Sequence, residues 1–280
     1  MSSPAPAPAC GPPVLPGALS PLTADLVRGP RHTAVVLAAS RAGVYLGVGD
    51  RVLPVLTSDA FALPGAVRLG QPSGEVRLGA RPGDIAVVGA GAIRLPTVVV
   101  RGVRTWRPAR VPATCATDRG DLAHVCTVLR APLAGGDDWL TAGVARAVRD
   151  ADPREAVTAL VGRGPGLTPS GDDALAGALL VRRSLGRGPR PGAPDPLLDA
   201  VRARAWATTA VSAALLQAAA DGFATGEVVD LVTAVGRGDA ARARSALPAV
   251  LAIGHTSGRD LVAGVSAAFE ALTSSERVAV

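Results

Sequence analysis

Two segments 87 residues apart carry the residue types that could do chemistry, and they align without gaps. The first is Ser170-Gly171-Asp172-Asp173-Ala174-Leu175-Ala176-Gly177; the second is Ser257-Gly258-Arg259-Asp260-Leu261-Val262-Ala263-Gly264. Ser followed three positions later by an acid is the pattern of a capping box, in which each side chain satisfies a backbone N–H of the first helical turn. On that reading Ser170, Asp173, Ser257 and Asp260 start two helices. The capping role leaves the preceding loop unexplained. Glycines at 162, 164 and 166 permit backbone that a Cβ forbids, and their N–H groups with the helix start form an anion cradle. Thr168, Ser170 and Gly171 complete that cradle on one side; Thr256, Ser257 and Gly258 are their counterparts on the other. It is not a P-loop, because the chain contains no lysine.

The repeat breaks where Asp172 stands against Arg259. If the two helix starts face each other, a carboxylate and a guanidinium are expected in one cleft, as a structural ion pair or as working groups. His255, before the second start, has the pKa range for acid–base work, whereas a lone loop histidine is ordinarily solvated. Between the segments, Thr208 and Ser212 fall at i, i+4 and Thr209 lies beside them. They read equally as back-bonding hydroxyls or as a polar lining.

These groups must be positioned by elements, and the chain divides into two patterns. Residues 1–25, rich in Pro and Ala at their start, read as a disordered lead-in. Residues 26–112 read as a β-rich domain with short runs at 33–39, 43–48, 51–57, 66–69, 75–78, 84–88 and 97–101. That spacing suggests a small barrel or sandwich. Residues 118–275 read as helical, with helices expected at 154–161, 171–186, 197–221, 226–236, 239–250 and 258–272. The fold class is therefore α+β: an N-terminal small β-barrel or sandwich, then a helical domain.

Composition narrows the functions. Aromatics are only 2% against 48% apolar, so the core is Ala, Val and Leu, which suits helices packed through small residues. The net charge of +6 is entirely arginine, scattered and without aromatic stacking platforms, which argues against nucleic acid and leaves small anions open. Cys10, Cys115 and Cys126 form no Cys-x-x-Cys pair, and His32, His124 and His255 are dispersed, so no metal-ligand spacing appears. A reduced, cytoplasmic protein without a signal peptide or membrane span is expected.

The string Gly164-Pro165-Gly166-Leu167-Thr168-Pro169-Ser170-Gly171-Asp172-Asp173, with Thr208-Thr209, Ser212 and Gly254-His255-Thr256-Ser257-Gly258, resembles a bacterial family. That family is typified by the oxamate carbamoyltransferase subunit of anaerobic allantoin degradation (AllH-like), and the resemblance extends over most of residues 30–272. It implies carbamoyl transfer between oxalurate and phosphate, giving carbamoyl phosphate and oxamate, with other enzyme subunits as partners. Under that implication phosphate rests on the Gly loop with Thr168 and Ser170, and Arg259 holds a substrate carboxylate. His255 polarises the carbamoyl oxygen, and Asp172 orients His255 or Arg259 or binds Mg²⁺. No organic cofactor motif accompanies these residues. The alternative is a non-catalytic anion-binding or assembly subunit, for which the motifs would not converge.

Overall fold

A computed structural model describes residues 11–113, 122–135, 138–188 and 193–274. The chain forms two compact units, Met1–Ala60 with Gly65–Arg107, and Phe61–Pro64 with Pro108–Val280. Cys10 and Cys115 lie outside the described residues, as do the first ten positions of the expected lead-in.

The first unit is a closed eight-stranded barrel. In chain order it holds β1 (Val14–Leu19), the short α1 (Ala24–Arg28), β2 (His32–Ser40), β3 (Gly43–Val48) and β4 (Arg51–Leu56). Then come β5 (Val67–Leu69), β6 (Ile85–Gly89), β7 (Ala92–Arg94) and β8 (Val99–Thr105). Alternation places Val36, Leu46, Leu53, Val88, Ile93 and Val100 in the interior. Residues 14–28 are not a disordered lead-in, which corrects the expectation for 1–25. β1 runs parallel to β8 and antiparallel to β5, and thereby closes the sheet. Pro16, with Pro12 and Pro13 just before the strand, disguises it locally, while pairing on both sides selects it. A Cβ at Gly17 would come 2.8 Å from Val67 and 2.9 Å from Val100, so the strand needs a small residue there. The run 75–78 is not a strand, although Val76 and Leu78 are buried in the same core.

The second unit is helical: α2 (Leu122–Arg130), α3 (Asp138–Arg149), α4 (Arg154–Leu160), α5 (Ser170–Ser184) and α6 (Pro196–Arg204). They are followed by α7 (Ala210–Ala220), α8 (Gly226–Gly236), α9 (Ala240–Leu251) and α10 (Ser257–Ser274). α5 is the central element, buried without interruption from Gly171 to Val181. It packs most extensively on α10, and also on α3, α4, α7 and α8. Phe269 is the one large aromatic among the fully buried side chains.

The α5–α10 crossing is reciprocal. A Cβ on Gly264 would sit 1.9 Å from the Ala174 carbonyl oxygen, and one on Gly177 would sit 2.4 Å from that of Leu261. Ala174 and Leu261 hold the same place in the two segments, as do Gly177 and Gly264. The preceding hairpins match too: Gly171 abuts the Leu160 carbonyl and Gly258 that of Val250, each at 2.0 Å from a virtual Cβ. The sequence repeat is thus a pseudo-twofold pair of helical hairpins, α4–α5 and α9–α10.

The expected continuous helix 197–221 is broken. A 3₁₀ turn at Ala205–Ala207 and an extended Thr208 separate α6 from α7. Thr209 then caps α7 by accepting from Ser212 N at 3.0 Å. Among the described residues, no helix is long and apolar enough to cross a membrane.

Candidate functional site

The loop before α5 is built by three glycines at positive φ: Gly162 at 73°, Gly164 at 123° and Gly166 at 90°. It folds back on the helix, so that a Cβ at Gly164 would lie 2.6 Å from Ser170 N. Arg163 fixes its base. The guanidinium stacks on Trp139 at 4.1 Å, and the carbonyl accepts from Gly171 N at 2.9 Å. Beyond it, residues 164–167 are exposed, and the N–H groups of Gly164, Gly166 and Leu167 donate to no group among the described residues.

Asp172 holds this loop to the rest of the unit. It is 1% exposed, and Oδ1 accepts from Gly162 N at 2.9 Å. Oδ2 accepts from Ser212 Oγ at 2.7 Å and from Thr208 Oγ1. Thr209 Oγ1 donates to the Leu167 carbonyl. The Thr208 and Ser212 pair therefore does converge, although Thr208 is not helical. Both hydroxyls serve a buried carboxylate, which repays the cost of placing a charge there.

That arrangement overturns the expected opposition of Asp172 and Arg259. Neither His255 nor Arg259 is a partner of Asp172, and both Asp172 oxygens already accept from N–H or O–H donors. Arg259 is exposed and turns the other way, toward the carbonyls of Leu133 and Ala134 at 3.4 and 3.5 Å. The physical reason is that Asp172 lies in a run of α5 buried from Gly171 onward, whereas Arg259 sits on an exposed face of α10. His255 is exposed in the turn before α10. Among the described residues no three His, Cys, Asp or Glu side chains gather to hold a metal.

The capping box is also corrected. Pro169, with ψ 142°, takes the N-cap place of α5, so Ser170 falls inside the helix and no side chain caps it. Ser257 is likewise the first helical residue of α10. Asp173 and Asp260 are freed from capping. Each is 9% exposed and leaves its Oδ2 buried without a hydrogen-bond partner.

The two segments do meet. Thr168 Oγ1 and Ser257 Oγ lie 2.9 Å apart, and both face the Asp173 carboxyl. Burial raises the Asp173 pKa to about 7. Hydrogen bonding from Ser257 and Thr168 opposes the rise, and the negative charges of Asp260 and Asp172 add to it. A carboxyl titrating near neutrality beside two hydroxyls and an open glycine loop is equipped to take up and release a proton.

Residues 160–269 match the family model described as oxamate carbamoyltransferase subunit AllH. The helical unit carries an AllH-like segment. It takes in both repeat segments, the Gly loop and the Thr208–Ser212 stretch, and it falls short of the expected span over most of residues 30–272, since the barrel and residues 108–159 lie outside it. No solved structure matches the chain.

Sequence reasoning missed a second feature of this unit. A pocket of about 450 Å³ opens beside α10, lined by Arg130, Asp138, Arg259, Asp260, Ser266 and Glu270 among others. Its lining comes from α2, the following turn at Leu133–Gly135, α3 and α10, of which only α10 belongs to the repeat, so no local motif announces it.

Proposed function

We propose that the helical unit is a carbamoyltransferase-type enzyme or enzyme subunit, acting on a small anionic ureido acid and phosphate at the junction of the two segments. The observation that carries this reading is Asp173 with a pKa near 7 beneath the Thr168–Ser257 hydroxyl pair. Phosphate would rest on the N–H groups of Gly164, Gly166 and Leu167 at the start of α5. A phosphate oxygen bonds to the carbamoyl carbon, and the bond from that carbon to the leaving amide nitrogen breaks. Asp173 supplies the proton the nitrogen needs and recovers one from the attacking hydrogen phosphate. With Asp173 protonated, one hydroxyl of the Thr168–Ser257 pair donates to the other, and the second is free to donate toward the developing oxyanion. In this scheme Asp172 is a positioning residue that fixes the glycine loop.

The test is phosphate-dependent cleavage of oxalurate by the purified full chain, alone and with the proteins encoded beside it. Asp173→Asn is expected to lower kcat by about a hundredfold or more and to remove an inflection near pH 7. Full activity in that variant overturns the assignment. A second reading, an assembly subunit, draws on Trp206 and Leu167, 75% and 42% exposed beside the loop. It predicts copurification with a partner and no change in that partner's pH profile on Asp173→Asn.

A further inference from the structure

We propose that the pocket bounded by α2, α3 and α10 is a separate ligand site that takes a small amino carboxylate, its ammonium on Asp260 and its carboxylate on Arg259. The charges of the pocket are already partly spent. Arg130 donates to both carboxylate oxygens of Glu270, from Nε at 2.7 Å and from Nη2 at 2.5 Å, and Ser266 Oγ donates to the same group at 3.3 Å. That pair is satisfied within the protein. What remains is one guanidinium, Arg259, held only by two long contacts to carbonyls, and two carboxylates, Asp138 and Asp260. Among the described residues neither carboxylate has an ion-pair partner.

Asp260 is the decisive group. It lines the pocket, is 9% exposed, and its buried Oδ2 has no hydrogen-bond partner. A carboxylate with one oxygen removed from water and without a donor is costly, and a ligand ammonium held at the side of Asp260 that lines the pocket offsets that cost. The excess of acid over base in the pocket favours an ammonium over a neutral amide. Arg259, on the adjacent position of the same helix, offers the bidentate geometry that a carboxylate matches. A volume of about 450 Å³ accommodates a molecule of amino-acid size with its bridging water.

Binding is read directly, so the outcome is independent of carbamoyl transfer. The full chain is titrated by calorimetry and by ¹⁵N-detected shifts with glycine, β-alanine, γ-aminobutyrate and L-alanine. Saturable binding of at least one is expected, with shifts centred on Ala263, Ser266 and Arg259. The N-acetyl derivative and the corresponding alkylamine of the best binder should each bind at least about tenfold more weakly. Asp260→Asn should weaken binding by a similar factor. Arg259→Gln, at an exposed position that leaves the core intact, should do so as well. No saturable binding across the panel overturns the proposal, as does an N-acetyl derivative binding as well as its parent. Unchanged affinity in Arg259→Gln also overturns it, whatever the folding of the Asp260 variant.

Discussion

Thr168 Oγ1 and Ser257 Oγ approach to 2.9 Å across 89 positions of sequence, joining the loop before α5 to the first turn of α10. The contact is where the two halves of the repeat meet. It lies over Asp173, whose pKa is raised by burial and by neighbouring carboxylates. Ionising that group is therefore a cost the fold carries.

The pH dependence follows. The unfolded chain releases the Asp173 proton near 3.8, while the folded protein keeps it until about 7. Between these values the native state binds more protons, so stability falls as pH rises through the window and the deficit is complete above it. The rise corresponds to roughly 4 kcal/mol as an upper figure. Asp173→Asn should flatten the profile and be the more stable protein at pH 8. Urea unfolding of both proteins at pH 5, 6.5 and 8 checks this, and parallel profiles would sink it.

The hydroxyl pair should be visible in the same titration. Ser257 and Thr168 both hold the Asp173 pKa down, so Ser257→Ala or Thr168→Val should raise it above about 7. Carboxyl ¹³C shifts of the single and double variants measure the change. The double variant should move less than the sum of the singles, because each hydroxyl orients the other. A downward shift in either single variant contradicts the geometry.

Asp172 should act on the loop and on the α6–α7 break together. Asp172→Ala leaves Gly162 N, Thr208 Oγ1 and Ser212 Oγ without their acceptor and should cost about 3–5 kcal/mol. Hydrogen exchange gives the specific signature: the Gly162 amide should lose its protection while amides in the middle of α5 keep theirs at native conditions. Retained protection at Gly162 would show that another group holds the loop.

Local pattern made some of this legible. Alternating apolar residues place β3 at Gly43–Val48, and helical period with Thr225 before it places α8 at Gly226–Gly236, with the bounds observed. What failed were features decided at long range. β1 is a strand because β5 and β8 flank it. The helix expected over 197–221 breaks at an extended Thr208, whose hydroxyl donates to Asp172, 36 positions away. Within the repeat, Asp172 and Arg259 were expected to oppose each other because they differ. Equivalent positions instead meet different surroundings, buried on α5 and open on α10. Of the matching acids, Asp173 is the one whose ionisation is opposed by burial and by the charges of both Asp260 and Asp172.

The closest approach in the helical unit yields the sharpest contrast between two glycines. At Gly264 a Cβ would meet the Ala174 carbonyl oxygen at 1.9 Å, and backbone on both sides leaves no flexible atom to give way. Gly264→Ala must push α10 from α5, loosening the contact of Val265 with Gly177 at the same crossing, and should cost roughly 3 kcal/mol or more, the upper end for overpacking. Gly226, first residue of α8, has nothing within 4 Å of its virtual Cβ. Gly226→Ala at that site removes backbone freedom from the unfolded chain and should be neutral or stabilising by up to about 1 kcal/mol. Thermal unfolding of the two variants beside the parent measures the difference. If Gly264→Ala melts with Gly226→Ala, the two helix starts are not held by this crossing, and the position of Ser257 over Asp173 must be fixed by something else.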